Sequence, residues 1–236
     1  MLTLHPQRWI AAVCCTLMLA GPALAGMTLD RSIIHFQPGQ AERVDVSVNN
    51  RGGEPLYVET KVFEVMAPGT DEEVLRPVVQ DPDMALLVSP NRLVIPPGRT
   101  KLLRVVNLAG NTDAERVFRV NVKPVPPPAA IEKSGIRLFV GYQLLVFLAP
   151  ADPAPQLLSR RKPGQVIFDN AGNVNVLLHS GLQCPPGADP EVAAEACTHF
   201  PGNRLYPGDS WALETPWESP VEFTVSTGER NSRTRF

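Results

Sequence analysis

Aromatic residues are scarce, with nine Phe, three Trp and three Tyr in 236 residues. A secreted sugar-binding β protein, which stacks its ligand on aromatic rings, is poorly supplied by such a sequence. Charge of one sign is lacking too: 22 Lys and Arg stand against 24 Asp and Glu, and no basic run is longer than Arg160-Arg161-Lys162. That excludes the electrostatic footprint on which nucleic-acid binding depends. No G-x-x-x-x-G-K-[ST] loop is present, so nucleotide hydrolysis by a P-loop has no support. Gly208-Asp209-Ser210 lacks the G-x-S-x-G elbow of a hydrolase and, following Pro207, reads as a turn. His35, His179 and His199 stand beside no evident nucleophile or carboxylate cluster. The chain is therefore expected to be no enzyme and to need no cofactor.

What the sequence does contain is apolar material and proline. Hydrophobic residues make up 44% of the chain, enough for one or two cores of about 100–150 residues each. The 25 prolines and many valines argue against a helical bundle, because Pro breaks helix interiors and Val loses rotamer freedom there. An all-β chain is expected.

Residues 1–25 read as a secretory signal. Arg8 precedes an apolar stretch beginning at Trp9, and Ala23-Leu24-Ala25 supplies the small-residue cleavage site. The stretch is too short to span a bilayer comfortably, and no later segment approaches the roughly 20 apolar residues a spanning helix needs. Cys14 and Cys15 leave with the signal, and an exported chain with two remaining cysteines is expected to bridge Cys184 to Cys197. Closing a loop near 15 residues stabilises by roughly 3 kcal/mol in the chain-entropy account. The rival is a metal site of His179, Cys184, Cys197 and His199, whose spacing lacks the C-x-x-C pair of structural zinc.

Alternation with a period of two recurs along the chain. In residues 42–48, Val44, Val46 and Val48 share one face and Arg43, Asp45 and Ser47 the other, a half-buried strand. Leu56, Val58, Thr60 and Val62 resume the period after the turn residues Asn49-Asn50-Arg51-Gly52-Gly53. Similar runs at 28–36, 92–95, 100–107, 116–123 and 136–148 bring the count to some seven strands, that of an immunoglobulin-like sandwich. Three prolines within residues 150–155 mark a linker. The expected domains are thus 26–150 and a smaller β-sandwich at 151–236, with strands at 165–170, 173–180, 210–214 and 221–226. No internal repeat is visible, and 189–196 reads as a tethered loop or a turn of helix.

SPNRLVIPPGRTKLLRVVN, then AERVFRVNVKPVPP, then an apolar strand ending in LVFLAP, resemble the first domain of the periplasmic pilus-assembly chaperones, the PapD-like family. Pro90, Arg92, Leu93, Pro96, Gly98, Arg104, Glu115, Arg119, Pro126 and Pro127 carry the likeness. TLDRSIIHF resembles the family's first strand, and NAGN at 170–173 and RLYPGD at 204–209 extend the likeness more weakly into the second domain. The resemblance implies two immunoglobulin-like sandwiches in a boomerang, in the periplasm. It implies a protein that lends the last strand of its first domain to pilus subunits and delivers them to an outer-membrane usher. A pilus subunit or adhesin is the rival, but it needs a donor extension, and only Gly26-Met27 would precede the first strand.

The sequence departs from the family at its anchoring positions. Ile33 and Leu145 stand where members carry an Arg and a Lys that hold the subunit's terminal carboxylate, as in the alternate chaperone–usher branch. Arg31, Arg137, Arg160, Arg161 and Lys162 are the remaining candidates for that contact. Ala149 replaces an Arg that would pair with Glu115. On the lent strand, the family's register makes Ile136, Leu138, Val140 and Tyr142 the subunit-facing set, and Arg137, Phe139, Gly141 and Gln143 the opposite face; the alternative is that the first set belongs to the chaperone's own core and Phe139 points outward.

Overall fold

The computed structural model describes residues 26–78, 84–127, 139–187, 194–228 and 230–236. The signal segment, with Cys14 and Cys15, lies outside the described residues. Ten strands make up the first half: β1 (Met27–Leu29), β2 (Ile33–Phe36), β3 (Arg43–Asn50), β4 (Leu56–Met66), β5 (Val74–Pro77), β6 (Leu86–Ser89), β7 (Arg92–Ile95), β8 (Thr100–Asn107), β9 (Arg116–Val125) and β10 (Tyr142–Leu148). One sheet runs β1-β3-β8-β6, and the other β2-β10-β9-β4-β5 with β7 also on β4. Val46, Leu103 and Val105 of the first sheet share a core with Val58, Phe118, Val120, Leu144 and Val146 of the second. The two sheets are thus the faces of one sandwich.

Eight further strands make a second sandwich: β11 (Leu157–Lys162), β12 (Gln165–Asn170), β13 (Val176–Gln183), β14 (Thr198–Phe200), β15 (Asn203–Leu205), β16 (Ser210–Glu214), β17 (Val221–Thr227) and β18 (Arg230–Arg235). Their sheets run β11-β12-β16 and β14-β13-β17-β18, with β15 also on β13. Phe168, Leu178 and Phe223 centre the core, and Phe236 meets Phe168 edge-on at 4.9 Å between centroids. Cys184 and Cys197 form a disulfide, so neither sulfur is open to the rival metal site. His179 sits instead with its Nε2 2.6 Å from the Ser226 hydroxyl. Within 189–196 the described residues form a single 3-10 turn, Ala194–Ala196.

The alternation of β3 holds as expected, with Val46 and Val48 fully buried. The single strand expected at 28–36 is corrected to two, because Asp30, Arg31 and Ser32 carry the chain from one sheet to the other: β1 pairs antiparallel with β3, and β2 parallel with β10. Strands β5, β6, β11, β14, β15 and β18 escaped the sequence because three or four residues, or polar runs such as 159–162 and Arg230–Arg235, show no hydrophobic period. The basic trio 160–162 ends β11, and the turn Pro163-Gly164 leads from it into β12.

Both sandwiches turn the same corner with a buried asparagine, a local repeat that the composition hides. Asn50 donates its side-chain amide to the Glu54 and Ile95 carbonyls at 2.8 and 2.9 Å and accepts from the Gly52 amide. Asn170 does the same toward Val174, Leu205 and Gly172. Each side chain satisfies main-chain groups where the chain leaves its sheet. Replacing either by alanine leaves buried carbonyls without a donor, so Asn50→Ala and Asn170→Ala should each lower stability by about 2–3 kcal/mol. The check is the urea midpoint, and an unmoved midpoint refutes the corner's role.

Candidate functional site

Strand β10 lies between unequal neighbours. Along one edge it pairs with β9 over its whole length, from Tyr142↔Val122 to Leu148↔Arg116. Along the other, β2 accompanies it only from Leu145, whose amide donates to the Ser32 carbonyl at 2.8 Å. Above that point the chain that would occupy the lane has left for the other sheet as β1. Tyr142 to Leu144 therefore have no strand partner on this side among the described residues. Since successive residues of a strand turn their main-chain groups to opposite edges, Gln143, like Leu145, offers its N–H and C=O to the open lane.

The two faces of β10 differ in the same decisive way. Leu144, Val146 and Leu148 point into the first sandwich. Leu145 and Phe147 point outward, where with Val65 and Val117 they are covered by Tyr206 of the second domain. His35 stacks on Phe147 at 4.8 Å, and the Arg204 guanidinium lies over the same ring at 4.8 Å. Cross-strand register sets Ile33, Leu145, Arg119, Phe63 and Pro77 in one row across the sheet. The two positions that lack the family's basic residues are thus direct neighbours, and Ile33 is 46% exposed.

Of the expected subunit-facing set, Ile136 and Leu138 lie outside the described residues, as does Arg137. Val140 is 55% exposed and Phe139, on the opposite face, 42%. Tyr142 is drawn into its own domain. It is half buried against the first core, and its hydroxyl donates to the Met27 carbonyl at 2.9 Å. Gly141 sits close to β9, where an added Cβ would stand 3.1 Å from Lys123 Cγ and 3.4 Å from the Val122 carbonyl.

The candidate cations are scattered. Arg31 stands at the sheet switch, half exposed, with Asp30 at 3.5 Å. Arg160, Arg161 and Lys162 lie on β11, which among the described residues pairs with β12 alone. Arg160 is paired with Asp169, and Arg161 donates to the carbonyls of Ser219 and Phe236 at 3.1 and 3.0 Å. The structure instead brings to the row a basic residue that the sequence had offered only as part of the family signature. Arg119 is the direct neighbour of Leu145 and is ion-paired with Glu73 at 2.7 Å.

Between the domains, Glu115 replaces its missing arginine with an amide. It accepts from the Asn175 main-chain amide at 3.1 Å, and both its carboxylate oxygens accept from the Asn175 side-chain Nδ2 at 2.8 Å. Asn175 in turn accepts from Arg204. Asn173 reaches back as well, its side chain donating to the Asp113 carbonyl at 3.1 Å and its own carbonyl accepting from the Glu115 amide. Burial raises the Glu115 pKa, opposed by the Asn175 hydrogen bonds and the Arg204 charge.

The model of the pili and flagellar-assembly chaperone family, PapD N-terminal domain, matches residues 26–154, more than half the chain. This chain belongs to that family. No protein of curated function matches it. Its fold is that of the class 5 fimbriae chaperone CfaA, at 19% identity and a TM-score of 0.65, covering 89% of this chain and 98% of that one. It is also that of the Salmonella enterica chaperone SafB solved with the pilin SafA, at 16% identity and 0.60, over 92% and 99%. The CsuC–CsuE pre-assembly complex of the Acinetobacter baumannii archaic Csu pili matches at 14% and 0.58, over 89% and 97%. These likenesses establish the two-domain immunoglobulin-like architecture.

The raised pKa of Glu115 has a definite sign for stability. Just above the ordinary glutamate pKa the folded chain still holds the proton that the unfolded chain has released. The contribution of Glu115 therefore declines as pH rises through that window. Glu115→Gln should remove this slope. Unfolding free energies of the two proteins from about pH 4 to 7 should converge at the acid end and separate toward neutrality; parallel profiles would refute the linkage.

Proposed function

We propose that this chain is a periplasmic chaperone that captures pilus subunits on the open edge of β10 and hands them to an outer-membrane usher. The observation that carries the reading is the lane beside Tyr142 to Leu144, which no strand occupies among the described residues once the first strand has changed sheet. A chain entering that lane gains main-chain hydrogen bonds from Gln143 and the residues before it, with no part of the chaperone to unfold first. Affinity then comes from the backbone and selectivity from alternate side chains, the ordinary physics of strand addition. Membership of the pilus-chaperone family and the signal-like first 25 residues support the location, and neither capture nor handover asks for catalysis or a cofactor.

Val140 is the described residue on which this reading rests most directly; Ile136 and Leu138 of the expected set lie outside the described residues. Tyr142 drops out of the set, because its ring and hydroxyl serve the chaperone's own sandwich. Among the candidate cations Arg31 stays, standing where the empty lane ends. The β11 trio is removed from the lane by its pairing within the second domain.

Burying Val140 in a subunit contributes about 1.5–3 kcal/mol, and a carboxylate there adds a desolvation cost. Val140→Glu should therefore abolish co-purification of subunits from periplasmic extract while leaving the thermal midpoint of the free protein near its original value. Leu144→Glu, inside the core, should unfold the domain instead. A Val140→Glu protein that captures subunits normally, or melts as Leu144→Glu does, refutes the assignment. Gln143→Pro separates the backbone contribution: it removes a free-edge N–H without touching the β9 ladder and should also stop capture.

A further inference from the structure

Pairing along the lower half of β10 is complete. β2 accompanies it from Leu145 to Leu148, and the Ala149 amide then donates to the Phe36 carbonyl at 3.0 Å. Beyond that end, on the side away from the open lane, the two domains enclose a cleft of about 400 Å³. Gln37 and Glu115 line it from the first domain, and Val174, Thr227 and Arg230 from the second, with Pro155 of the crossing between them. The domains approach closely at its mouth, where a Cβ on Gly228 would stand 3.5 Å from Gln37 Nε2.

The cleft carries two opposite charges, one from each domain. Glu115 is a buried carboxylate whose direct partners among the described residues are all groups of Asn175. A carboxylate offers about four lone-pair sites. Oε1 already accepts from the Asn175 main-chain amide and from Nδ2, whereas Oε2 accepts from Nδ2 alone and has room for a further donor. Continuing the register of Leu148 with Arg116 sets Ala149 opposite Glu115, and its methyl group supplies no donor. Burial raises the Glu115 pKa, as befits a carboxyl with little positive charge beside it. Arg230, at the start of β18, is exposed and meets no carboxylate among the described residues.

A ligand of a single sign would meet a like charge at one end of this cleft; a small zwitterion meets an opposite charge at both. The Thr227 hydroxyl and the Gln37 amide offer neutral hydrogen bonds between the two, and Val174 and Pro155 give a short apolar wall for an aliphatic stem. We propose that this cleft binds a free aliphatic amino acid, its ammonium on Glu115 Oε2 and its carboxylate on Arg230. Both contacts are charge-assisted hydrogen bonds. Since the ligand touches one residue of each domain, it stabilises the docked arrangement in which the Glu115 amide donates to the Asn173 carbonyl at 2.9 Å. The site takes nothing from the open edge of β10, so it stands or falls apart from strand capture.

The test is an NMR titration of the full mature chain with glycine, β-alanine and γ-aminobutyrate, and with n-butylammonium and butyrate as single-charge controls at equal ionic strength. At least one amino acid should bind about tenfold more tightly than either control. Arg230→Gln, at an exposed position, should erase its advantage over butylammonium, and Glu115→Gln its advantage over butyrate. Lys162→Gln, remote on β11, should bind as the parent does. Hydrogen exchange of the Glu115 amide should slow about threefold at saturation. Controls that bind as tightly as every amino acid, an Arg230→Gln protein that keeps the full advantage, or a Lys162→Gln protein that loses it, overturn the site. An unchanged exchange rate overturns the bridge between the domains.

Discussion

The unequal pairing of β10 is the constraint on which the rest of this molecule depends. Residues 30–32 carry the first strand out of one sheet and into the other, so that β1 completes the β3 edge and β2 completes only the lower part of β10. Had the strand continued straight, every main-chain group of β10 would be paired and the sandwich would be closed. Among the described residues, the switch leaves Tyr142 to Leu144 without a strand on that side, the kind of edge that soluble proteins ordinarily cover or blunt. Here it is left short and level with a half-exposed Val140 and Phe139.

The second domain acts on this strand from the other face. Tyr206 and Arg204 cover Phe147, so the lower half of β10 is held between its own core and the neighbouring domain, while Tyr142 to Leu144 have β9 as their one strand partner among the described residues. Loss of the family's arginine at position 149 does not leave the interface without polar ties. Asn175 meets both oxygens of Glu115 and receives Arg204 behind it. The amide meets the carboxylate directly with the Arg204 charge one residue behind it, and the carboxyl keeps a raised pKa because burial outweighs the Asn175 hydrogen bonds and the Arg204 charge.

Ile33 and Leu145 show how one substitution pattern changes the chemistry of a site without changing its scaffold. Their side-by-side placement follows from the parallel β2–β10 register alone. With apolar residues there, the row takes its charge from Arg119, one strand farther in, and that charge is already met by Glu73.

How much of this was legible without coordinates follows from the range of each force. The period of two in β3, β4 and β8 and the class of the fold are written in local pattern, because a half-buried strand must alternate whatever it pairs with. The motifs from Pro90 to Pro127 carried the family, and export with two remaining cysteines pointed to the Cys184–Cys197 bridge. Partnership was not legible. That β1 and β2 belong to different sheets, that Tyr142 is tied to Met27, that Asn175 answers Glu115, and that Arg119 lies beside Leu145 are contacts between residues 20 to 115 positions apart. They are decided by which backbone edges and faces meet, and a sequence read one neighbourhood at a time contains no term for that.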